Sequence, residues 1–82
     1  MIYNCNITKN TDNFYEVSFP DMSHIITIGF SHEHALEMAK EALDGVLMTS
    51  LDNNLTIEEP TYKGGYPIEV SVKIAFAYNL RK

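Results

Sequence analysis

From Ser31 to about Leu51, apolar residues return every three or four positions: Leu36, Ala39, Leu43, Val46 and Leu47. That period is the one an α-helix uses to gather apolar side chains on one face. A helix of about 20 residues is about 30 Å long, so its stripe needs a cover of similar reach. The residues before it can supply one. They hold three short segments in which apolar and polar residues alternate, the pattern of a strand with one buried side. The order is β-β-β-α, and the helix has a sheet to lie on.

In the first segment Tyr3, Cys5 and Ile7 alternate with Ile2, Asn4, Asn6 and Thr8. The first set is expected to be buried. Asn10-Thr11-Asp12-Asn13 follows, four residues that bond their own backbone and tolerate left-handed turns, as a hairpin loop requires. The second strand is expected from Phe14 to Phe19, with Tyr15, Val17 and Phe19 on one side and Phe14, Glu16 and Ser18 on the other. Pro20 cannot donate to a ladder and closes it. Asp21-Met22-Ser23 connects to a third strand, His24 to Ile28, rich in β-branched residues. Gly29 ends that strand.

Ser31 fits the helix N-cap, where its hydroxyl accepts a free amide of the first turn. Glu33 lies near the positive end of the helix dipole. His34 stands where a capping box needs Glu or Gln, so a full box is not expected. Glu37 and Glu41 face outward with Lys40 and Asp44. Gly45 weakens the helix by about 1 kcal/mol relative to alanine; close packing on the sheet would explain its presence. Leu55 to Gly65 reads as a loop. Beyond it the alternation from Ile68 to Leu80 is too long for one strand. A strand from about Tyr66 to Val72 is expected, then a short helical or extended tail over 73–82.

With 82 residues the chain is expected to be one domain. Its net charge of −5 repels phosphate and suits a basic protein partner. A lone cysteine, Cys5, allows no internal disulfide and fits a reducing compartment. No apolar run approaches the roughly 20 residues of a membrane helix, and no signal peptide is apparent. The expected location is the cytoplasm.

The order and spacing of these features resemble the HicB antitoxin family. The matching residues are Tyr15, Val17, Phe19, Pro20 and Asp21; Gly29 and Ser31; then Ala35, Leu36, Ala39, Ala42 and Leu43. Glu58-Glu59-Pro60 resembles the loop after the family's helix, and Pro67-Ile68-Glu69-Val70 resembles its final strand. The resemblance covers most of the chain. It implies a partial ribonuclease-H-like fold. It also implies a role in binding and silencing a small HicA-type toxin, an mRNA-cleaving protein. Many relatives continue into a DNA-binding domain. This chain stops at Lys82, so a single HicB-like domain over 1–82 is expected, with operator binding in doubt.

Sites of chemistry are sparse. A ribonuclease-H centre needs converging acids around two divalent cations. The candidates Asp12, Glu16, Asp21 and Glu69 are expected on a turn, an outward strand face, a strand end and another strand. His32 and His34 are two apart on a helix, which sends them to different sides, and His24 begins a strand. Neither a metal nor a cofactor is expected. Cys5 reads as a small buried hydrophobe, and Gly64-Gly65 as a turn. Met22, Met38 and Met48 fit core filling.

The expected fold is therefore α+β: β-β-β-α-β, a small antiparallel or mixed sheet with one long helix packed on a face. The expected function is non-enzymatic. An antitoxin-like domain would cover the RNA-binding face of a small basic toxin, with Tyr15, Glu16, Asp21, Glu33 and Glu37 as contacts. Small open sheets leave edges that invite pairing, so a homodimer or tetramer is expected as well. The alternatives are an orphan oligomeric or RNA-binding domain and a metal-dependent nuclease remnant.

Overall fold

A computed structural model describes residues 1–81. Four strands and two helices follow in the order β1 (Ile2–Lys9), β2 (Tyr15–Ser18), β3 (Ile26–Gly29), α1 (His32–Asp52), β4 (Tyr66–Glu69) and α2 (Val72–Arg81). The strands make one sheet in the order β3-β2-β1-β4. All three pairings are antiparallel, which resolves the choice between an antiparallel and a mixed sheet.

β1 is the long central strand and is used in two halves. Its first half, Ile2 to Cys5, pairs with β4, and its second half, Asn6 to Lys9, pairs with β2. The sheet is therefore stepped, and the molecule is elongated at 42 × 21 × 20 Å. Alternation places Tyr3, Cys5, Val17 and Ile68 on the side that α1 covers, where all are buried. Ile7 is only half-buried and packs at the margin of this core. The opposite sheet face carries Ser18, Asn6, Thr8, Glu16, Ile26 and Ile28 by register. Ile26 and Ile28 are exposed there.

The buried line of α1 is Ala35, Ala39, Leu43 and Leu47. Leu36 and Val46, expected in that line, are half-buried and flank it. Ala35 takes the place at the first turn because the helix begins against β3. A Cβ on Gly29 would lie 2.3 Å from the Ala35 backbone nitrogen. Only glycine admits that approach. Gly45 is a correction to the sequence reading. It does not pack on the sheet; a Cβ there would meet nothing within 4 Å. Two residues beyond Leu43 is about 200° around the helix, so Gly45 faces out.

Ser31 caps α1 as expected, and the full capping box does not form. Ser31 Oγ accepts from the His34 amide at 3.0 Å. The His34 ring reaches back, and its Nδ1 accepts from the Phe30 amide at 3.0 Å. The ring also stacks on Phe30, with centroids 5.6 Å apart. An imidazole thus performs the reciprocal half of a capping box, one residue upstream of the usual donor. At the other end Leu55 N donates to Ser50 O and Asn54 N to Leu51 O, while Asn54 takes φ 55°. This is the Schellman closure with asparagine in the left-handed position.

The third strand starts later than expected, because residues 19–25 form consecutive turns: Met22 N donates to Phe19 O and Ile25 N to Met22 O. β4 ends at Glu69 rather than Val72. Ser71 N donates to Asp44 Oδ1 and turns the chain into α2. The tail is helical from Val72, with Ile74 and Tyr78 buried; Lys82 lies outside the described residues.

Candidate functional site

The glutamates at positions 33, 37 and 41 are one turn apart and form a single exposed ridge along α1. Like charges at this spacing repel by a few tenths of a kcal/mol per pair. The neighbouring cation does not relieve them. Lys40 Nζ is bound to Asp44 Oδ2 at 3.2 Å and to the Glu69 carbonyl at 2.9 Å. The other ion pair among the described residues joins the Met1 amino group to Glu69 at 3.7 Å. The ridge carboxylates therefore have no ion-pair partner among the described residues.

Tyr15 stands at the N-terminal end of this ridge. Its ring meets the edge of His32 at 6.1 Å, and His32 meets Tyr66 at 4.8 Å. Together they form a small aromatic cluster beside Glu33. Glu33 and Glu37 thus share one helix face, and Tyr15 reaches the first turn of that helix through His32. Glu16 does not: it projects from the sheet face opposite α1, where its carboxylate accepts from Asn10 Nδ2 at 3.0 Å. Asp21 is also apart, beyond the other end of β2. Its carboxylate accepts from the Thr61 hydroxyl at 2.5 Å, the Thr61 amide at 2.8 Å and the Tyr62 amide at 2.9 Å. These donors hold the Asp21 carboxyl below its ordinary pKa, the Thr61 hydroxyl most and the Tyr62 amide next.

Asp21 thereby fixes the long loop that connects α1 to β4. Other bonds complete the anchorage. Tyr3 Oη donates to the Glu58 carbonyl at 2.5 Å, and Tyr62 Oη to Asn6 Oδ1 at 2.8 Å. Tyr78 Oη donates to the Glu59 carboxylate, and Ile57 is buried beneath the loop. Burial, with the nearby Tyr78 and Glu59, pushes the Tyr3 phenol up to about 12.

Reactive chemistry finds no comparable assembly. Among the described residues, no three His, Cys, Asp or Glu side chains converge on a place for a metal ion. Asp12 lies in the hairpin turn, and Glu69 on β4 holds the N-terminus. His24 is exposed, His32 joins the aromatic cluster and His34 caps α1. Cys5 is fully buried, and burial pushes its thiol up to about 11. A nucleophilic thiol needs the opposite shift. No helix among the described residues is long and apolar enough to cross a membrane.

Two surface features escape the sequence reading. An open groove of about 640 Å³ runs between β3 and α1, past Ile25, Ile26, Ala42, Gly45 and Val46, with Glu41 also lining it. The unexplained Gly45 was its only signal in the sequence. The second is an apolar row on the outer side of α2: Val72, Phe76 and Leu80 are 85%, 64% and 73% exposed. Their spacing of four is legible once the tail is known to be helical.

Searches for similar curated proteins and for similar solved structures returned no match. A family model, described as a HicB-like antitoxin of a bacterial toxin–antitoxin system, matches residues 2–78. That span takes in every strand, α1 and most of α2, and so this chain belongs to the HicB-like antitoxin family.

Proposed function

We propose that the protein is an antitoxin that binds a small, basic, HicA-type mRNA-cleaving toxin and covers its RNA-binding face. It acts by contact and transforms no substrate. The observation that carries this reading is the exposed glutamate ridge of α1, which has no ion-pair partner among the described residues. An RNA-binding face is a field of positive charge, and an acidic ridge competes with phosphate for it. Tyr15, Glu33 and Glu37 supply the main contact, with an aromatic ring beside the charges. Glu16 adds an acid on the opposite sheet face, and Asp21 contributes by fixing the loop at residues 61–62. The site of action is the cytoplasm, where mRNA is cleaved.

The test is co-expression with a HicA-type toxin, followed by affinity capture and an RNA cleavage assay. Wild-type chain should co-purify and suppress cleavage. Glu33→Lys with Glu37→Lys should weaken capture by tenfold or more, on the order of 1.4 kcal/mol, and restore cleavage. If wild-type chain neither binds nor protects, the reading fails.

The apolar row of α2 supports self-association as a second property. Three large apolar side chains on one short helix face form a patch that a second copy can cover. Sedimentation should show a concentration-dependent oligomer that Phe76→Asp dissociates. A wild-type monomer at high concentration would exclude it.

A further inference from the structure

We infer that the groove between β3 and α1 receives an amphipathic segment of the basic toxin, and that Gly45 is glycine to leave room for it. The inference rests on the antitoxin reading and specifies where part of the partner sits.

Gly45 is the starting point. It lies in the interior of a 21-residue helix, where glycine is the least favourable residue after proline. Its backbone has no need of glycine, since it is helical and carries no positive φ. Its neighbours have no need either, since an added Cβ meets nothing within 4 Å. Glycine therefore gives the isolated domain nothing in return for weakening α1. The empty space above Gly45 is the groove itself. A side chain there would project into that space and occupy it.

The groove's chemistry indicates what fills it. Its apolar lining is Ile25, Ala42, Val46 and Leu55, with Leu55 53% exposed, while Ile26 borders it from β3 with its side chain on the other sheet face by register. β3 is an edge strand, so its outer backbone has no strand partner in the sheet. Glu41 belongs both to the groove and to the ridge that continues through Glu37 and Glu33. An apolar trough beside a row of carboxylates matches a segment with an apolar side chain flanked by Lys or Arg. A second copy of this chain is a poorer match, because it brings its own net charge of −5 to the same acidic rim.

The experiment measures binding of a catalytically silenced HicA-type toxin to the full chain and three variants, with a thermal melt of each. Gly45→Ala should raise the melting midpoint by about 4–8 °C and leave affinity within about twofold. Gly45→Gln should melt no lower than wild type yet bind at least about tenfold more weakly. Leu55→Asp, at a position that also lines the groove, should likewise lose about tenfold. Two outcomes overturn the inference while leaving the antitoxin reading intact. In one, Gly45→Gln binds the toxin as wild type does. In the other, Gly45→Gln dissociates a homodimer with toxin affinity unchanged, which gives the groove to a second copy. If the wild-type chain binds no toxin at all, both readings fall together.

Discussion

His34 shows how a residue that breaks a motif can still serve the helix end it occupies. A capping box asks for a side chain that accepts a hydrogen bond at the third helical residue. Glutamate and glutamine are the usual answer, and His34 meets the need with Nδ1. His34→Ala should cost about 0.5–1.5 kcal/mol, read from denaturant unfolding, whereas His34→Gln should recover most of it. Asp21 makes a pH prediction. Its carboxyl is held below the ordinary value of 3.8 by Thr61 and Tyr62, so the folded state favours the charged form. The stabilisation is complete above that value and is lost as pH falls through it and below. Asp21→Asn should flatten the stability curve on this acid limb. A curve with unchanged slope would show that the carboxylate does not grip the loop.

The elements were legible to different degrees, for reasons visible in particular residues. α1 could be read from its period and from Ser31, because periodicity and capping are local properties. β1 and β2 could be read from their alternation: Tyr3 and Cys5 are buried as expected, and Val17 and Phe19, which share a face of β2, are buried too. The tail was harder, since an alternation from Ile68 to Leu80 suits a strand and equally a helix. Its outcome depends on Asp44, distant in sequence, receiving the Ser71 amide. The groove had only Gly45 as a signal, and the anchored loop had none. Both arise from contacts between segments far apart, such as Asp21 with Thr61. The packing of α1 on the sheet is where Ala35, Ala39, Leu43 and Leu47 are fully buried. Leu43 is fully buried, and Leu43→Ala should cost about 2–5 kcal/mol. A domain of this size has a margin of only about 3–5 kcal/mol, so the variant should be largely unfolded by circular dichroism. Near-native stability would mean that α1 is held elsewhere.

At the scale of the whole molecule, one side of the sheet is closed by α1 and the other carries the exposed Ile26 and Ile28, while α1 holds five of the eleven acids, Glu33, Glu37 and Glu41 forming its exposed ridge. Of the five expected contacts, Glu33 and Glu37 share the exposed ridge of α1, Tyr15 meets His32 in the first turn of that helix, Glu16 lies on the opposite face and Asp21 serves the loop. A charge-driven interface of this kind should weaken with salt, since screening shortens to about 8 Å at physiological ionic strength. The most direct measurement is a titration of a HicA-type toxin with this chain at low and physiological salt, with RNA cleavage followed in parallel. The account predicts stoichiometric binding that weakens as salt rises, and cleavage that stops as the complex forms. Cleavage that continues undiminished at saturating antitoxin, or RNA cleaved by this chain alone, would contradict it.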